Sequence, residues 1–209
     1  MSLFEKFSRV FQSGDVKEQL LSPAFQYHDA HLPTLWLLGK TGAGKSTLVQ
    51  SITGNTDAEI GKGFRPCTEN SMQFGFPVVK PVLQFLDTRG LGESGYDAAE
   101  DIELCARQGH ALVIVMKVGD TEQSDVLHAI RKIKSSQKIS NYLLVHTASH
   151  LVSGIHERER LVQYNYEQTQ RILGSEISSV VVDFKLPNGA MDGLDNLLNA
   201  LSEMLPIVS

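Results

Sequence analysis

Residues 39–47 read Gly39-Lys40-Thr41-Gly42-Ala43-Gly44-Lys45-Ser46-Thr47, and every residue type in the run suits phosphate chemistry. Glycines let a tight loop turn its backbone N–H groups inward around anionic oxygens. A helix opening at the loop adds the positive end of its dipole. A lysine placed as Lys45 reaches β- and γ-phosphates, and a hydroxyl placed as Ser46 ligates Mg²⁺, a hard ion that takes oxygen ligands. The pattern G-x-x-x-x-G-K-[ST] is specific where it follows a strand and opens a helix. Here the apolar run Leu35–Leu38 precedes it and the helical stretch Gly44–Thr53 follows. The sequence therefore predicts a nucleoside triphosphate and Mg²⁺ held at Gly39–Thr47.

Two further signals surround it. Asp87-Thr88-Arg89-Gly90 ends an apolar run; its aspartate is placed to hold Mg²⁺, and Gly90 to offer an N–H to a γ-phosphate and release it after hydrolysis. Thr68, in the glycine-containing stretch Gly61–Asn70, is the candidate to complete the metal shell, with Thr56 as its alternate.

The elements that must position these residues alternate in type. Strands are expected at Leu35–Leu38, Ser71–Val79, Val82–Asp87, Ala111–Val118, Tyr142–Val145 and Val180–Phe184. Helices are expected at Gly44–Thr53, at Tyr96–Arg107, around Val126, Ile130 and Ile133, along a charged stretch with Ile155, Val162, Tyr166 and Leu173 on one apolar face, and under the stripe Leu194, Leu197, Leu198, Leu201, Leu205. Strands alternating with helices mean βαβ units and a largely parallel sheet. Ligands in such sheets bind at the carboxyl ends of the strands, where all three motifs fall. The expected organisation is an N-terminal amphipathic helical segment over residues 1–30, followed by one nucleotide-binding domain over residues 31–209.

A chain of 209 residues with 42% hydrophobic and 21% charged residues suits a single globular domain. Its net charge of −5 argues against a protein built mainly to hold nucleic acid. Cys67 and Cys105 have neither metal-ligand spacing nor the number for a disulfide framework, so an intracellular, cytoplasmic setting is expected, with a position peripheral to the membrane left open. The longest apolar run, Ala111–Met116, falls far short of the roughly 18 residues of a membrane span. The face of Leu3, Phe4, Phe7, Val10 and Phe11 suits packing on the domain or a partner better than a membrane surface, because its polar face is not rich in Lys and Arg.

The order Gly39–Ser46, then Thr68 in Arg65-Pro66-Cys67-Thr68, then Asp87-Thr88-Arg89-Gly90-Leu91-Gly92-Glu93-Ser94 resembles the translation-factor-related small GTPases of the Era/TrmE kind. The resemblance spans roughly residues 30–206. It implies a three-layer Ras-like P-loop fold with a mostly parallel six-stranded sheet, one antiparallel edge strand and helices on both faces. It implies GTP/GDP and Mg²⁺ as ligands, Lys45 as the phosphate lysine, Ser46, Thr68 and Asp87 as metal ligands, and Gly90 as a switch residue. Effectors or a second copy would engage the switch loops, a fused or associated C-terminal domain is compatible, and a ribosomal or other nucleic-acid partner stays open.

Three departures qualify it. The guanine-reading motif N/T-K-x-D should follow Tyr142–Val145, yet the chain reads His146-Thr147-Ala148-Ser149-His150. No carboxylate stands there to accept two N–H donors on one base edge; Thr147, Ser149 or His150 remain to bond the base, with Lys185 as a further base contact. Leu91 follows Gly90 where Ras-like enzymes place a water-orienting glutamine. Gly42 occupies the position of the asparagine used by potassium-activated relatives. Arg65, Arg89 and Glu93 are the charged residues available to assist hydrolysis, and slow intrinsic turnover is expected. An ATPase of the same architecture, or a nucleotide-binding regulatory module with little hydrolysis, are the rival readings.

Overall fold

The computed structural model describes residues 32–53, 64–66, 71–76, 83–88, 109–184, 186 and 189–204. These form a seven-stranded sheet with helices on both faces. Its strands are β1 (Thr34–Leu38), β2 (Phe64–Pro66), β3 (Ser71–Phe76), β4 (Leu83–Thr88), β5 (Ala111–Lys117), β6 (Asn141–Thr147) and β7 (Ser178–Val182). The helices are α1 (Lys45–Thr53), α2 (Ser124–Ser136), α3 (Ile155–Leu173) and α4 (Leu194–Met204).

The spatial order is β2-β3-β4-β1-β5-β6-β7. β4, β1, β5, β6 and β7 run parallel, and β3 runs against β4. The expected three-layer Ras-like architecture is thus observed, with one strand more than anticipated. The extra strand, β2, is three residues long and pairs antiparallel with β3. It therefore takes the edge expected for β3. A segment that short, containing Pro66, carries no readable period in the sequence.

Period-two alternation assigns the two faces. Leu35 and Leu37 of β1, with Val113 and Val115 of β5, pack on Leu48, Val49 and Ile52 of α1 and on Leu197 and Leu201 of α4. Trp36 and Leu38, with Leu112 and Ile114, pack on Val126, Ile130 and Ile133 of α2 and on Leu173 of α3. The central strands are buried on both faces, as crossover helices require. Each such fully buried aliphatic side chain contributes about 1.5–3 kcal/mol.

One sequence expectation fails on α3. Ile155 was placed on the apolar face with Leu173, and both do share a face, yet Ile155 is 64% exposed. The two lie about 27 Å apart along the axis at 1.5 Å per residue, and the start of the helix lies beyond the core. The buried positions of α3 are Asn165, Thr169 and Leu173. Among the described residues no helix is long and apolar enough to cross a membrane. The helical expectations for residues 2–12 and 96–107 lie outside the described residues.

Candidate functional site

β1 delivers the chain into the loop at Gly39. A Cβ there would lie 2.4 Å from the Val115 carbonyl oxygen of β5, so only glycine lets the loop leave the sheet at this point. The loop curls back through an Ala43 N–H to Lys40 carbonyl bond of 3.1 Å, and Gly44, at φ +100°, turns it into α1. The Leu48 N–H to Gly44 carbonyl bond (2.8 Å) starts the helix. The N–H groups of its first turn have no carbonyl of their own and face the loop mouth.

Lys45 is buried, and its ammonium donates to the carbonyls of Gly39 (2.9 Å) and Lys40 (3.2 Å). The cation is thereby held across the loop mouth. Ser46 and Thr47 are exposed beside it. On the outer side, Lys40 pairs with Asp120 (2.9 Å) and donates to the Glu122 carbonyl (2.8 Å), tying the loop to the segment after β5.

Asp87 ends the apolar part of β4 in register with Leu37 of β1. Its Oδ1 is buried with no hydrogen-bond partner among the described residues. Burial pushes its carboxyl up to about 6, against the opposing influence of the Lys45 charge. An orphaned carboxylate oxygen next to a phosphate-type lysine fits a hard cation, which would supply the missing compensation.

The third region lies at the ends of β6 and β7. Thr147, expected among base contacts, is buried, and its hydroxyl donates to the Ala43 carbonyl at 2.7 Å. Its Cγ2 would also meet a Cβ on Gly44 at 3.4 Å. It braces the phosphate loop from beneath. Ala148 follows at φ 54°, and a single 3₁₀ turn covers Ser149–Leu151. That turn is organised by Asp183, just after β7. The Ser149 N–H (2.7 Å) and hydroxyl (2.7 Å), the His150 N–H (3.2 Å) and the His150 Nδ1 (3.0 Å) all converge on its carboxylate. Burial acts to raise the Asp183 carboxyl, but the bonds from Ser149 and His150 outweigh it and hold it below the usual carboxylate range. Sequence reasoning passed over Asp183, although a carboxylate at a strand's carboxyl end was the available signal.

A cleft of about 420 Å³ opens between these parts, lined by Lys40, Thr41, Gly42, Lys117, Asp120 and Leu151 among others. It joins the phosphate loop to the turn that carries His150. His146, one residue before Thr147, points away from this site. It is fully buried and its Nε2 lacks a partner among the described residues. Burial pulls its imidazole down to about 4. Among the described residues no cluster of His, Cys, Asp and Glu could hold a metal by itself. Thr68, Thr56, Arg89, Gly90, Leu91, Glu93 and Lys185 lie outside the described residues, and Arg65 is placed only by its backbone pairing with Gln73.

The sequence pattern of the family described as 50S ribosome-binding GTPase matches residues 34–148, more than half of the 209. The chain belongs to that family. It is therefore a GTPase, a GTP-binding and GTP-hydrolysing switch domain. No curated protein shows significant sequence similarity to this GTPase. Its fold is similar to that of translation elongation factor SelB from Methanococcus maripaludis bound to a GTP analogue, at a TM-score of 0.57 and 15% identity over 85% of this chain and 34% of SelB. It is also similar to the small COPII coat GTPase Sar1 from Encephalitozoon cuniculi bound to GDP, at a TM-score of 0.54 and 15% identity over 97% of this chain and 88% of Sar1. This GTPase thus spans about a third of the SelB chain. At such identity the likeness establishes the fold alone.

Proposed function

We propose that this chain is a Mg²⁺-dependent GTP switch of the Era/TrmE-like branch, with its nucleotide held by Gly39–Thr47. The observation that carries the reading is Lys45, fixed across the loop mouth by two carbonyls, beside an Asp87 Oδ1 that has no partner among the described residues. The loop N–H groups and the α1 N-terminus bind the phosphate oxygens. Lys45 exchanges its loop carbonyls for β- and γ-phosphate oxygens. Ser46, Asp87 and Thr68 hold Mg²⁺, which when bound supplies charge to those same oxygens. Gly90 senses the γ-phosphate through its N–H. The sequence Asp87–Ser94, with apolar Leu91 after Gly90, supports the Era/TrmE-like placement.

Leu91 has no group to orient water, so the intrinsic rate stays below about 1 per second and rises on dimerisation or effector binding. The name of the family supports a ribosomal particle as the effector. The cellular setting that suits it is cytoplasmic.

Equilibrium binding of GTP, GDP and ATP to wild type and Lys45→Ala tests the core of this reading. Guanine nucleotides should bind to wild type and lose at least about tenfold in the variant. Equal affinity for ATP moves the protein to the ATPase reading. Unchanged affinity in the variant removes Lys45 from the site. Co-sedimentation with 50S particles in GTP and in GDP tests the partner.

A further inference from the structure

Asp183 holds His150, a base contact the sequence already offers, at the carboxyl ends of β6 and β7. β6 is the second strand from β1 in the sheet order, and β7 the third. At about 4.8 Å per strand, their carboxyl ends lie roughly 10–14 Å from the phosphate loop. A nucleotide whose phosphates lie in the loop is long enough to place its base there. Leu151, the residue after His150, lines the cleft together with Lys40–Ala43, and His150 adjoins that lining only along the chain.

The carboxylate available there is occupied. Asp183 accepts four bonds, from the N–H and hydroxyl of Ser149 and from the N–H and Nδ1 of His150. A carboxylate has about four lone-pair directions, so none is left for a base. An ionised carboxylate only accepts, so Nδ1 of His150 carries the hydrogen. In the neutral imidazole Nε2 then presents one lone pair. Among the described residues Nε2 has no partner, and a fifth of the side chain is open.

We propose that His150, oriented by Asp183, reads the purine through Nε2 as a single acceptor for the N1–H of a 6-oxopurine. This rests on the GTPase reading and refines its ligand class. One acceptor takes one N–H. Guanine and hypoxanthine share the N1–H, and they differ in the 2-amino group that this site does not bond. Adenine has a lone pair at N1 and meets Nε2 acceptor to acceptor, which leaves a desolvated acceptor unpaired. His150 is the contact and Asp183 its positioning residue. The site accepts guanine and hypoxanthine nucleotides alike and rejects adenine.

The test measures dissociation constants of GDP, IDP and ADP with Mg²⁺ at pH 8, on the full chain. Wild type should bind GDP and IDP within about threefold of each other and both at least about tenfold tighter than ADP. His150→Ala should weaken GDP and IDP equally. The exchange His150→Asp with Asp183→Ser puts a two-acceptor carboxylate where the imidazole was and a hydroxyl donor behind it. That double variant should now prefer GDP over IDP by about tenfold, a ratio that no loss of fold can create. Thermal melts report whether each variant is folded, and wild-type ratios stand if a variant is not. A tenfold preference of wild type for GDP over IDP overturns the single-acceptor proposal and leaves the GTPase reading intact. Equal binding of all three overturns it by showing that His150 reads nothing. Absence of any binding overturns both.

Discussion

At the scale of single residues, the site contains a buried carboxylate oxygen without a partner among the described residues. It belongs to Asp87. Its carboxyl rises from 3.8 to about 6 because burial outweighs the Lys45 charge. The folded state therefore holds that proton more tightly than the unfolded chain. Through Asp87 stability falls as pH rises from 3.8 to 6, and the cost persists above 6. Asp87→Asn keeps the shape and removes the charge, so the protein without nucleotide in EDTA at pH 7.5 should gain about 2–3 kcal/mol. The same variant should lose Mg²⁺-dependent GTP hydrolysis. Lower stability in urea would mean that the Asp87 carboxylate has a stabilising partner in the folded chain. Lys40 shows the opposite case. Its bridge to Asp120 is partly exposed, so Lys40→Ala should shift stability by less than about 1 kcal/mol in the same assay.

Between elements, two contacts set the phosphate loop on the sheet. Thr147 at the end of β6 holds the Ala43 carbonyl, and Gly39 lies under the Val115 carbonyl of β5. Thr147→Val conserves the shape but leaves a buried carbonyl unpaired. It should cost about 1–3 kcal/mol by denaturant melts and speed GDP release, because the loop loses its brace. If GDP release is unchanged while stability falls, the brace is structural only. Gly39→Ala forces a methyl to 2.4 Å from backbone oxygen, which neither strand relieves without breaking the pairing of β1 with β5. A loss of about 3 kcal/mol, or no folded protein, is expected by circular dichroism.

For the whole molecule, the buried histidine of β6 and Asp87 bear on acid stability with opposite signs. His146 has its imidazole pulled down to about 4 by burial, against an ordinary value of 6.5. Below 6.5 the unfolded chain takes up a proton that the folded one refuses until near 4. Through His146 stability therefore rises with pH across that window and is flat above it, opposite in sign to the contribution of Asp87. Between pH 7.5 and pH 5 the protein should lose about 2 kcal/mol through this group. Urea melts at the two pH values on wild type and His146→Val should show the variant spared about 2 kcal/mol of loss at pH 5 relative to wild type. An equal change in both would assign the acid sensitivity to other groups.

The sequence alone determined the phosphate loop, the parallel frame and the two-sided core, because local pattern encodes them. Gly39–Thr47 is contiguous, and period-two strands and 3.6-residue helical stripes report their buried faces directly. Six of the seven strands were legible for that reason, and β2 was too short to carry a period. Only the tertiary structure decided the rest. The role of Thr147 depends on a carbonyl 104 positions away in sequence, and the grip of Asp183 on Ser149 and His150 spans 33 or 34 positions. Such partners have no spacing rule. They meet because the sheet sets the ends of β1, β6 and β7 along one edge. The same three-dimensional neighbourhood turned an absent aspartate at position 150 into a histidine held by a carboxylate from the next strand.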